Sequence, residues 1–446
     1  MQPGGSQTIF RLAYLGQQRG EILALGTKIG CNRQVTTNGS SEARIYNKTL
    51  LRIAGLTALL AVFNHGYLLL EHYDLNFGEP SGQGLCNISD YISCAAVSAS
   101  SYAEFLGVPM AMWGMAANAV FFLFALWGEL TGSFSDPAAQ IRLKTMSFFI
   151  AAASLVMGTI STLVIGRICP FCILAYLLSF ATFACTWLAT RQSSQTRSQL
   201  NAEDRKAIVV PLLVAAAAAA LMAFISNDAM KKSYIAKSFG GTEDLTPMIQ
   251  EALQTWTNEP EVKITPVAAL IMGASDANAK MVITEFADFR CSHCKHAAPV
   301  FKAFVAGHPD VQLRFEAWPL DGECNASIPS PNGASCLLAR AVNCVEKISG
   351  HGWAAHEYVY EHQEQFVSSD AVRGALADIA GAASTDPAQV KTCADSAEAI
   401  HQIQQEAAVG SNLNLSGTPS VYVNGKKLPF GQNIQVLSEV RRRIVK

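Results

Sequence analysis

The stretch "MVITEFADFRCSHCKHAAPVFKAFVAG", residues 281–307, decides the fold of the second half of the chain. Its first six residues have the β-branched and aromatic content of a buried strand, and the part from Cys291 onward has the pattern of a helix. This places Cys291 at a helix N-terminus, where unpaired backbone amides and the helix dipole favour a thiolate. Cys294 lies one turn deeper, as expected of a resolving cysteine.

Two further side chains accompany this cysteine pair. His293, between the cysteines, can add positive charge or a hydrogen bond to the Cys291 thiolate and so lower its pKa. Glu285 lies six residues before Cys291 on the predicted strand, where a carboxylate beneath the site could assist proton transfer. The alternative for Glu285 is an exposed acid at a strand edge.

A second segment, "SGTPSVYVNG", places Thr418 and Pro419 before another short strand. Between the two segments, residues from about Cys336 to Gly410 have helical patterns. This combination resembles the DsbA-like thiol oxidoreductases over residues 281–446. The resemblance implies a thioredoxin fold with a helical insertion, and a cis bond at Pro419.

The first half of the chain has a different composition. Overall, 50% of the 446 residues are hydrophobic and only 15% are charged, which is unusual for a soluble protein. The net charge of -2, with no glycine-rich phosphate loop or basic-aromatic stripe, argues against a nucleic-acid partner. Five stretches of 18 to 24 residues without charge are long enough to cross a lipid bilayer. They are Ile53–Leu70, Phe105–Gly128, Thr145–Gly166, Ile168–Thr190 and Ala207–Ser226.

The distribution of Lys and Arg predicts the orientation of these spans. The segment up to Arg52 carries seven, residues 191–206 carry four, and residues 73–104 carry none. By the positive-inside rule, the N-terminus is cytoplasmic and everything after Ser226 lies outside. No cleaved signal peptide is recognisable in the first 50 residues, so we expect the first span to insert the chain.

This topology sorts the twelve cysteines. Cys31 is cytoplasmic and Cys185 lies within a span, whereas the other ten lie at or beyond the outer face, where disulfides persist. Four of these ten have no C-x-x-C spacing and are interpreted as two structural disulfides, for which three connectivities exist. We favour Cys324 with Cys336 and Cys344 with Cys393.

The remaining outer cysteines form two pairs near the membrane. Cys169 and Cys172 stand at the mouth of the fourth span, and Cys86 and Cys94 lie in the loop after the first. Such pairs can be structural disulfides, metal ligands or redox pairs. A dithiol at the bilayer edge can meet a lipid-soluble electron acceptor. We therefore favour a redox role for these pairs and predict no metal site.

Residues 50–190 resemble the vitamin K epoxide reductase family, which combines a loop cysteine pair with a C-x-x-C at the fourth helix. The resemblance implies that Cys86 meets the protein partner and that Cys94 relays to Cys169. Cys172 would then face a quinone, either ubiquinone or menaquinone.

Two other residues match this family. Ser100 matches its serine after the loop pair, and Tyr176 its quinone-bonding tyrosine. The alternatives are a polar helix cap for Ser100 and an interfacial aromatic anchor for Tyr176. The quinone-binding asparagine of the family is not assigned here.

Together these features predict a membrane all-α helical bundle, four catalytic helices plus one, followed by a soluble α/β thioredoxin-fold domain with a helical insertion. The predicted divisions are residues 1–50 (cytoplasmic segment), 51–190 (quinone-reducing membrane domain), 191–230 (fifth transmembrane helix with flanks), 231–276 (linker with a helical segment) and 277–446 (periplasmic thioredoxin-fold domain).

The predicted function is a quinone-dependent protein thiol oxidase of a bacterial inner membrane, which forms disulfides in exported proteins. Electrons pass from the substrate to Cys291 and Cys294, then to the loop pair, the membrane pair and a quinone. The alternatives are the reverse direction, as a disulfide reductase or isomerase, reduction of a quinone epoxide, and a metal-binding membrane protein. The chain lacks the acidic or histidine-rich intramembrane stripe often seen in metal transporters.

Overall fold

The computed structural model describes residues 46–78, 86, 92–191, 202–238, 244–267 and 270–446. Most of the predicted cytoplasmic segment, including Cys31, lies outside these ranges, as do residues 87–91 between the two loop cysteines. The described residues form an apolar helical bundle followed by a mixed α/β domain.

In the described residues, five helices are long and apolar enough to cross a membrane by length and composition. They are α1 (Lys48–Phe77), α3 (Met110–Thr131), α4 (Pro137–Thr159, extended by a π-helical turn over Ile160–Ile165), α5 (Pro170–Ala189) and α6 (Ala202–Ser238). Between α1 and α3 lie the short helix α2 (Cys94–Ala99) and a small hairpin of β1 (Glu104–Phe105) and β2 (Val108–Pro109).

Two helices of this bundle, α1 and α4, begin at polar caps, and the outer faces of the bundle are apolar. Asn47 caps α1 by accepting a hydrogen bond of 3.2 Å from the Leu50 amide, and Asp136 caps α4 in the same way. Outward-facing side chains such as Leu163 (79% exposed) and Phe149 (65% exposed) show how apolar the surface is. A surface of this kind is typical of contact with lipid.

Two spans begin later than predicted. The second helix starts at Met110 rather than Phe105, because Gly107 adopts a positive φ of 74° that turns the chain into the β1–β2 hairpin. The fourth helix starts at Pro170 rather than Ile168, because the residue before the proline caps the helix.

The fifth span is longer than predicted, because α6 continues past Ser226 to Ser238 in place of the expected linker. Its polar continuation packs against α1. Asn227 is buried and accepts a hydrogen bond of 2.7 Å from the Tyr73 hydroxyl. This contact satisfies both polar groups and stabilises helix where the composition alone favours a linker.

The second domain is built on a five-stranded mixed sheet in the order β3-β5-β4-β6-β7. β4 and β5 are parallel, and the other pairs are antiparallel. The strands are β3 (Leu270–Gly273), β4 (Met281–Ala287), β5 (Val311–Ala317), β6 (Ser420–Val423) and β7 (Lys426–Lys427). Helix α8 (Ser292–Gly307) connects β4 to β5, and its Phe301 and Phe304 are fully buried in the core.

A run of helices is inserted between β5 and β6. These are α9 (Ala334–Ser349), α10 (Gly352–Glu361), α11 (Ser369–Ala382), α12 (Pro387–Ala394) and α13 (Ala397–Asn412). Two more helices, α7 (Thr246–Asn258) and α14 (Ile434–Val445), pack together beside the sheet. The predicted fold class is therefore confirmed: five apolar helices precede a thioredoxin-fold domain with a helical insertion.

Candidate active site

The C-x-x-C pair of the second domain lies at the junction of β4 and α8. Strand β4 is paired on both sides, with β5 and β6, so its carboxyl end is firmly placed in the sheet. Cys291 is the residue that caps α8, and Cys294 lies in its first turn. Both are free thiols; Cys291 is partly exposed and Cys294 is buried. A protein partner can therefore reach Cys291 but not Cys294.

The two thiols differ in acidity. The hydrogen bond from the Cys294 thiol is the largest cause that lowers the pKa of Cys291 to about 5, and Thr418 and the amides of Cys294 and His293 add to it. Burial raises the pKa of Cys294 well above its ordinary value. At neutral pH, Cys291 is thus an ionised nucleophile and leaving group, while Cys294 keeps its proton.

Glu285 lies beneath this pair on β4, in register with Phe315 of β5 and Val421 of β6. Its side chain is buried, and its Oε1 atom has no hydrogen-bond partner in the described residues. Burial raises its pKa to about 8, and the charge of Cys291 adds to this rise. The alternative of an exposed strand-edge acid is therefore wrong, because this strand is in the middle of the sheet.

The other two predicted contacts of Cys291 have different outcomes. The Thr418–Pro419 bond is cis, and the Thr418 carbonyl oxygen lies 3.3 Å from the Cys291 sulfur. The side chain of His293 is exposed, and this residue helps to lower the Cys291 pKa through its backbone amide, as the smallest of the hydrogen-bond contributions. The expected contact through the imidazole is not part of this arrangement.

The membrane-side cysteines form a continuous line of four sulfur atoms. Disulfides join Cys86 to Cys94 and Cys169 to Cys172, and the Cys94 and Cys169 sulfurs are 3.0 Å apart. Cys169 caps α5 and accepts a hydrogen bond of 3.1 Å from the Cys172 amide, which fixes its sulfur at the helix N-terminus. Thiol-disulfide exchange requires such direct contact of sulfurs, so this line can pass electrons from the loop pair to the membrane pair.

Cys172 and Tyr176 are one helical turn apart on α5, and both line a cavity of about 740 Å³ in the helical bundle. Its wall is mostly apolar, with few polar groups, as is typical of sites for small apolar molecules. Ser100 also lines it, and the Ser100 hydroxyl donates a hydrogen bond of 2.7 Å to the Val97 carbonyl at the end of α2. The cavity thus fits a quinone, whose flat apolar ring carries oxygens that a hydroxyl can bind.

Family models match both parts of the chain. The vitamin K epoxide reductase family model matches residues 52–187, and a model described as thioredoxin matches residues 265–440. The chain carries a vitamin K epoxide reductase family domain followed by a thioredoxin-like domain. The pair of domains indicates a thiol-disulfide oxidoreductase.

Individual relatives match one part of the chain each. Disulfide bond formation protein D of Bacillus subtilis is 26% identical over 196 residues, 43% of this chain and 80% of that protein. The Na(+)/H(+) antiporter NhaA 3 of Salinispora tropica is 22% identical over 160 residues, 36% of this chain and 22% of that protein. The crystal structure of oxidised BdbD from Bacillus subtilis has a TM-score of 0.35 and 21% identity, and covers 42% of this chain and 97% of that one.

Sequence patterns missed two residues beside these sites. In the thioredoxin-like domain, the Gln363 side-chain amide donates hydrogen bonds to the Phe289 carbonyl at 2.9 Å and the Cys291 carbonyl at 3.0 Å. In the vitamin K epoxide reductase domain, Asn118 is buried on the cavity wall, and its Oδ1 atom has no partner in the described ranges. A polar residue in an otherwise apolar span was a usable signal for Asn118, whereas nothing local marks Gln363.

The four other cysteines of the thioredoxin-like domain lie in its helical insertion and the loop before it. The structure pairs Cys324 with Cys336 and Cys344 with Cys393, and the Cα atoms are 5.9 Å apart in each pair. Cys324, Cys336 and Cys344 belong to the buried core that also contains Cys294. The first disulfide therefore ties the loop before the insertion to α9, and the second ties α9 to α12 within the insertion.

The two domains contact each other through the end of α8 that is far from Cys291. The Cα of Gly307 lies so close to the Ala96 carbonyl that there is no room for a side chain, and His308 lies 3.3 Å from the Ser101 hydroxyl. A 16-residue helix is about 24 Å long, so Cys291 is about that far from this contact.

In this arrangement of the domains, the Cys291–Cys294 pair lies far from the Cys86–Cys94 pair, although the predicted relay requires exchange between them. Cys94 begins α2, two residues before Ala96, and so lies at the far end of α8 from Cys291. A disulfide requires Cα atoms within about 7 Å. The structure therefore brings Cys94 to Cys169 but does not bring Cys291 to the loop pair.

Proposed function

We propose that this protein is a quinone-dependent thiol oxidase that introduces disulfides into exported proteins. A substrate dithiol would reduce the Cys291–Cys294 disulfide, and the resulting dithiol would reduce the Cys86–Cys94 pair. Two electrons and two protons move in each exchange, so every pair returns to its disulfide once the next pair has been reduced. A membrane quinone would be the final electron acceptor and would leave as quinol.

The single observation that carries this proposal is the line of sulfurs from the loop to the cavity. The 3.0 Å contact between Cys94 and Cys169 links the loop pair to a pair whose Cys172 lines an apolar cavity. A purely structural set of disulfides has no need of such a contact, nor of a cysteine on the wall of an apolar cavity. Tyr176 and Cys172 are the residues we expect to lie against the quinone ring.

The acidity of Cys291 supports the oxidising direction. Stabilising its thiolate favours the reduced form of the pair, which makes the disulfide a stronger oxidant toward substrate. With the Cys291 pKa at about 5, the thiolate is present throughout the neutral range. Glu285, buried with its pKa raised to about 8, is then suited to exchange a proton with Cys294.

The separation of Cys291 from the loop pair implies two arrangements of the domains. In the described arrangement, α8 packs against α2 while the Cys94 sulfur contacts the Cys169 sulfur. This arrangement suits electron transfer from the loop pair to the membrane pair. The step from Cys291 to Cys86 would require the thioredoxin-like domain to leave α2. We place this domain in the periplasm, because the positive charges lie on the opposite side of the predicted spans.

The test is quinol formation by the full-length protein in lipid vesicles with a quinone and a reduced, unfolded protein. Cys94→Ser and Cys172→Ser should abolish quinol formation while one equivalent of substrate is still oxidised at Cys291. Cys185→Ser is the matched control, because Cys185 is a free thiol within a span and outside the line of sulfurs.

Quinol formation that persists in Cys94→Ser would overturn the proposed route. Reduction of external disulfides by added quinol, without the forward reaction, would favour the reverse direction. Stoichiometric zinc or copper, with no change in free thiols on adding quinone, would instead favour the metal-binding alternative. A mixed disulfide between Cys291 and Cys86 in a Cys294→Ser variant would locate the step between the domains.

A further inference from the structure

The cavity that Cys172 lines extends as far as the fifth apolar helix. Part of its wall is formed by side chains of α6 between residues 209 and 220. The vitamin K epoxide reductase family model matches residues 52–187, so α6 lies outside the matched domain. One wall of the cavity is therefore supplied by a helix that does not belong to that domain.

The two ends of the cavity differ in polarity. Helix α5 contributes Cys172, Tyr176 and Ser179, whose side chains carry a sulfur or a hydroxyl group. The side chains that α6 contributes are all Val, Leu or Ala. Four of them are alanines: Ala215, Ala216, Ala219 and Ala220. A polar end and an apolar end match a membrane quinone, which has an oxygen-bearing ring and an isoprenoid tail.

Helix α4 lines the cavity along its length and gives a scale for it. At Gly158, a Cβ atom would lie only 3.4 Å from the Tyr176 ring, so this part of α4 is level with the polar end. Phe149, nine residues earlier on α4, also lines the cavity. At 1.5 Å per residue, these two positions are about 14 Å apart. The cavity is therefore longer than a quinone ring and has room for part of a tail.

The apolar end reaches the outer surface of the bundle between α4 and α6. The Arg142 guanidinium of α4 donates a hydrogen bond of 3.3 Å to the Ala207 carbonyl of α6. Phe149 lies seven residues beyond Arg142 and Leu213 six residues beyond Ala207, so both are about 10 Å from this contact. Both side chains line the cavity, and they are 65% and 64% exposed.

Resting on the proposed function, we infer that α6 binds the isoprenoid tail of the quinone. The ring lies at the α5 end against Cys172 and Tyr176, and the tail runs along α4 and leaves the bundle between Phe149 and Leu213. The small alanine side chains of α6 leave room for the methyl branches of the tail. Burial of the tail's apolar surface against them favours binding.

The test measures where the tail binds rather than turnover. Two ubiquinone analogues carry a photoreactive diazirine, one on the ring and one midway along the tail. Each is photolysed with the full-length protein in lipid vesicles with its disulfides closed, and the labelled peptides are identified by mass spectrometry. We expect the ring probe to label α5 near Tyr176. The tail probe should label α4 near Phe149 and α6 at residues 213–220, and unlabelled long-tailed quinone should displace both probes.

A matched pair of variants tests the alanine wall. Ala216→Trp fills the cavity beside α6. Ala217→Trp is the control, because Ala217 is equally exposed on α6 but is not among the described residues of the cavity wall. In the displacement assay, Ala216→Trp should bind long-tailed quinone about tenfold more weakly, which corresponds to lost burial of about two CH₂ groups. It should bind a quinone without a tail normally, and Ala217→Trp should bind both normally.

Tail labelling confined to α1, α3 or α5, or equal effects of the two tryptophan variants, would overturn the assignment. Labelling of α6 that phospholipid displaces and quinone does not would assign this wall to a lipid acyl chain instead, and would also overturn it. Both outcomes leave the proposed function intact if the ring probe still labels α5. If quinone displaced neither probe, the proposed function as a whole would fail.

Discussion

The acidity of Cys291 can be tested through its neighbour in the same turn of helix. The Cys294 thiol is the largest cause that lowers the pKa of Cys291 from 9.0 to about 5. A pKa lowered this far corresponds to about 5 kcal/mol of thiolate stabilisation, and to about half of that after solvent screening of a partly exposed sulfur. The smaller value makes the disulfide about 50 mV more oxidising.

The perturbation is a matched pair of substitutions. Cys294→Ala removes the donor and Cys294→Ser keeps one. A hydrogen bond to a charged group is worth about 1.5–3 kcal/mol, so the alanine variant should raise the pKa of Cys291 by about 1–2. The serine variant should keep most of the depression.

The assay is the rate of Cys291 alkylation by iodoacetamide as a function of pH, in the full-length protein and relative to Cys291→Ser. The midpoint should move toward neutral pH for Cys294→Ala and stay near the original for Cys294→Ser. Identical midpoints for both variants and the unmodified protein would refute the role of the Cys294 donor. The helix N-terminus would then be the main source of the acidity.

Three further outcomes are expected. Glu285→Gln should slow substrate oxidation by about 100-fold or more and remove the pH dependence near pH 8, since a neutral amide cannot exchange the Cys294 proton; an unchanged pH–rate profile would exclude proton transfer by Glu285. Burial raises the pKa of Glu316 to about 7 and that of Glu406 to about 8, above the unfolded value of about 4.5. The contribution of these two carboxyls to the free energy of unfolding is then fully present below about pH 4.5 and is lost as the pH rises through 7 to 8. Thermal unfolding followed against pH should show a lower melting temperature over this range, and Glu316→Gln should flatten the decrease. An unchanged slope in this variant would contradict the assignment. Gly307→Leu should push α8 off α2 and increase the mixed disulfide trapped between the domains, whereas Gly381→Leu, at a helical site with open space around it, should have no effect; equal trapping in both would show that this contact does not limit transfer.

Some parts of the fold and site follow from local sequence. The strand, the C-x-x-C pair and α8 lie within 27 consecutive residues, and their periodicity is visible without any tertiary contact. The five spans follow from composition over about 20 residues each. Their boundaries were less accurate where a cap or turn decided them, as at Gly107, and where a tertiary contact stabilised helix, as at Asn227.

Other features depend on residues far apart in the chain. Cys94 and Cys169 are 75 positions apart, and their contact depends on how α2 packs on the start of α5. Gln363 reaches the Cys291 carbonyl from a helical insertion 72 positions away. No periodicity marks such a pair, because the side chains meet only after whole helices have packed.

By itself, the sequence determined the two domain types, the sides of the membrane on which the cysteines are expected, and the nucleophilic position of Cys291. These depend on hydrophobicity, charge and spacing, which act over a few turns of chain. Only the tertiary structure decided that Glu285 is buried, that the Cys94 and Cys169 sulfurs lie 3.0 Å apart, and that α8 meets α2 by the end far from Cys291. Burial and orientation of this kind depend on the close packing of distant segments, where a single glycine sets how near two helices lie.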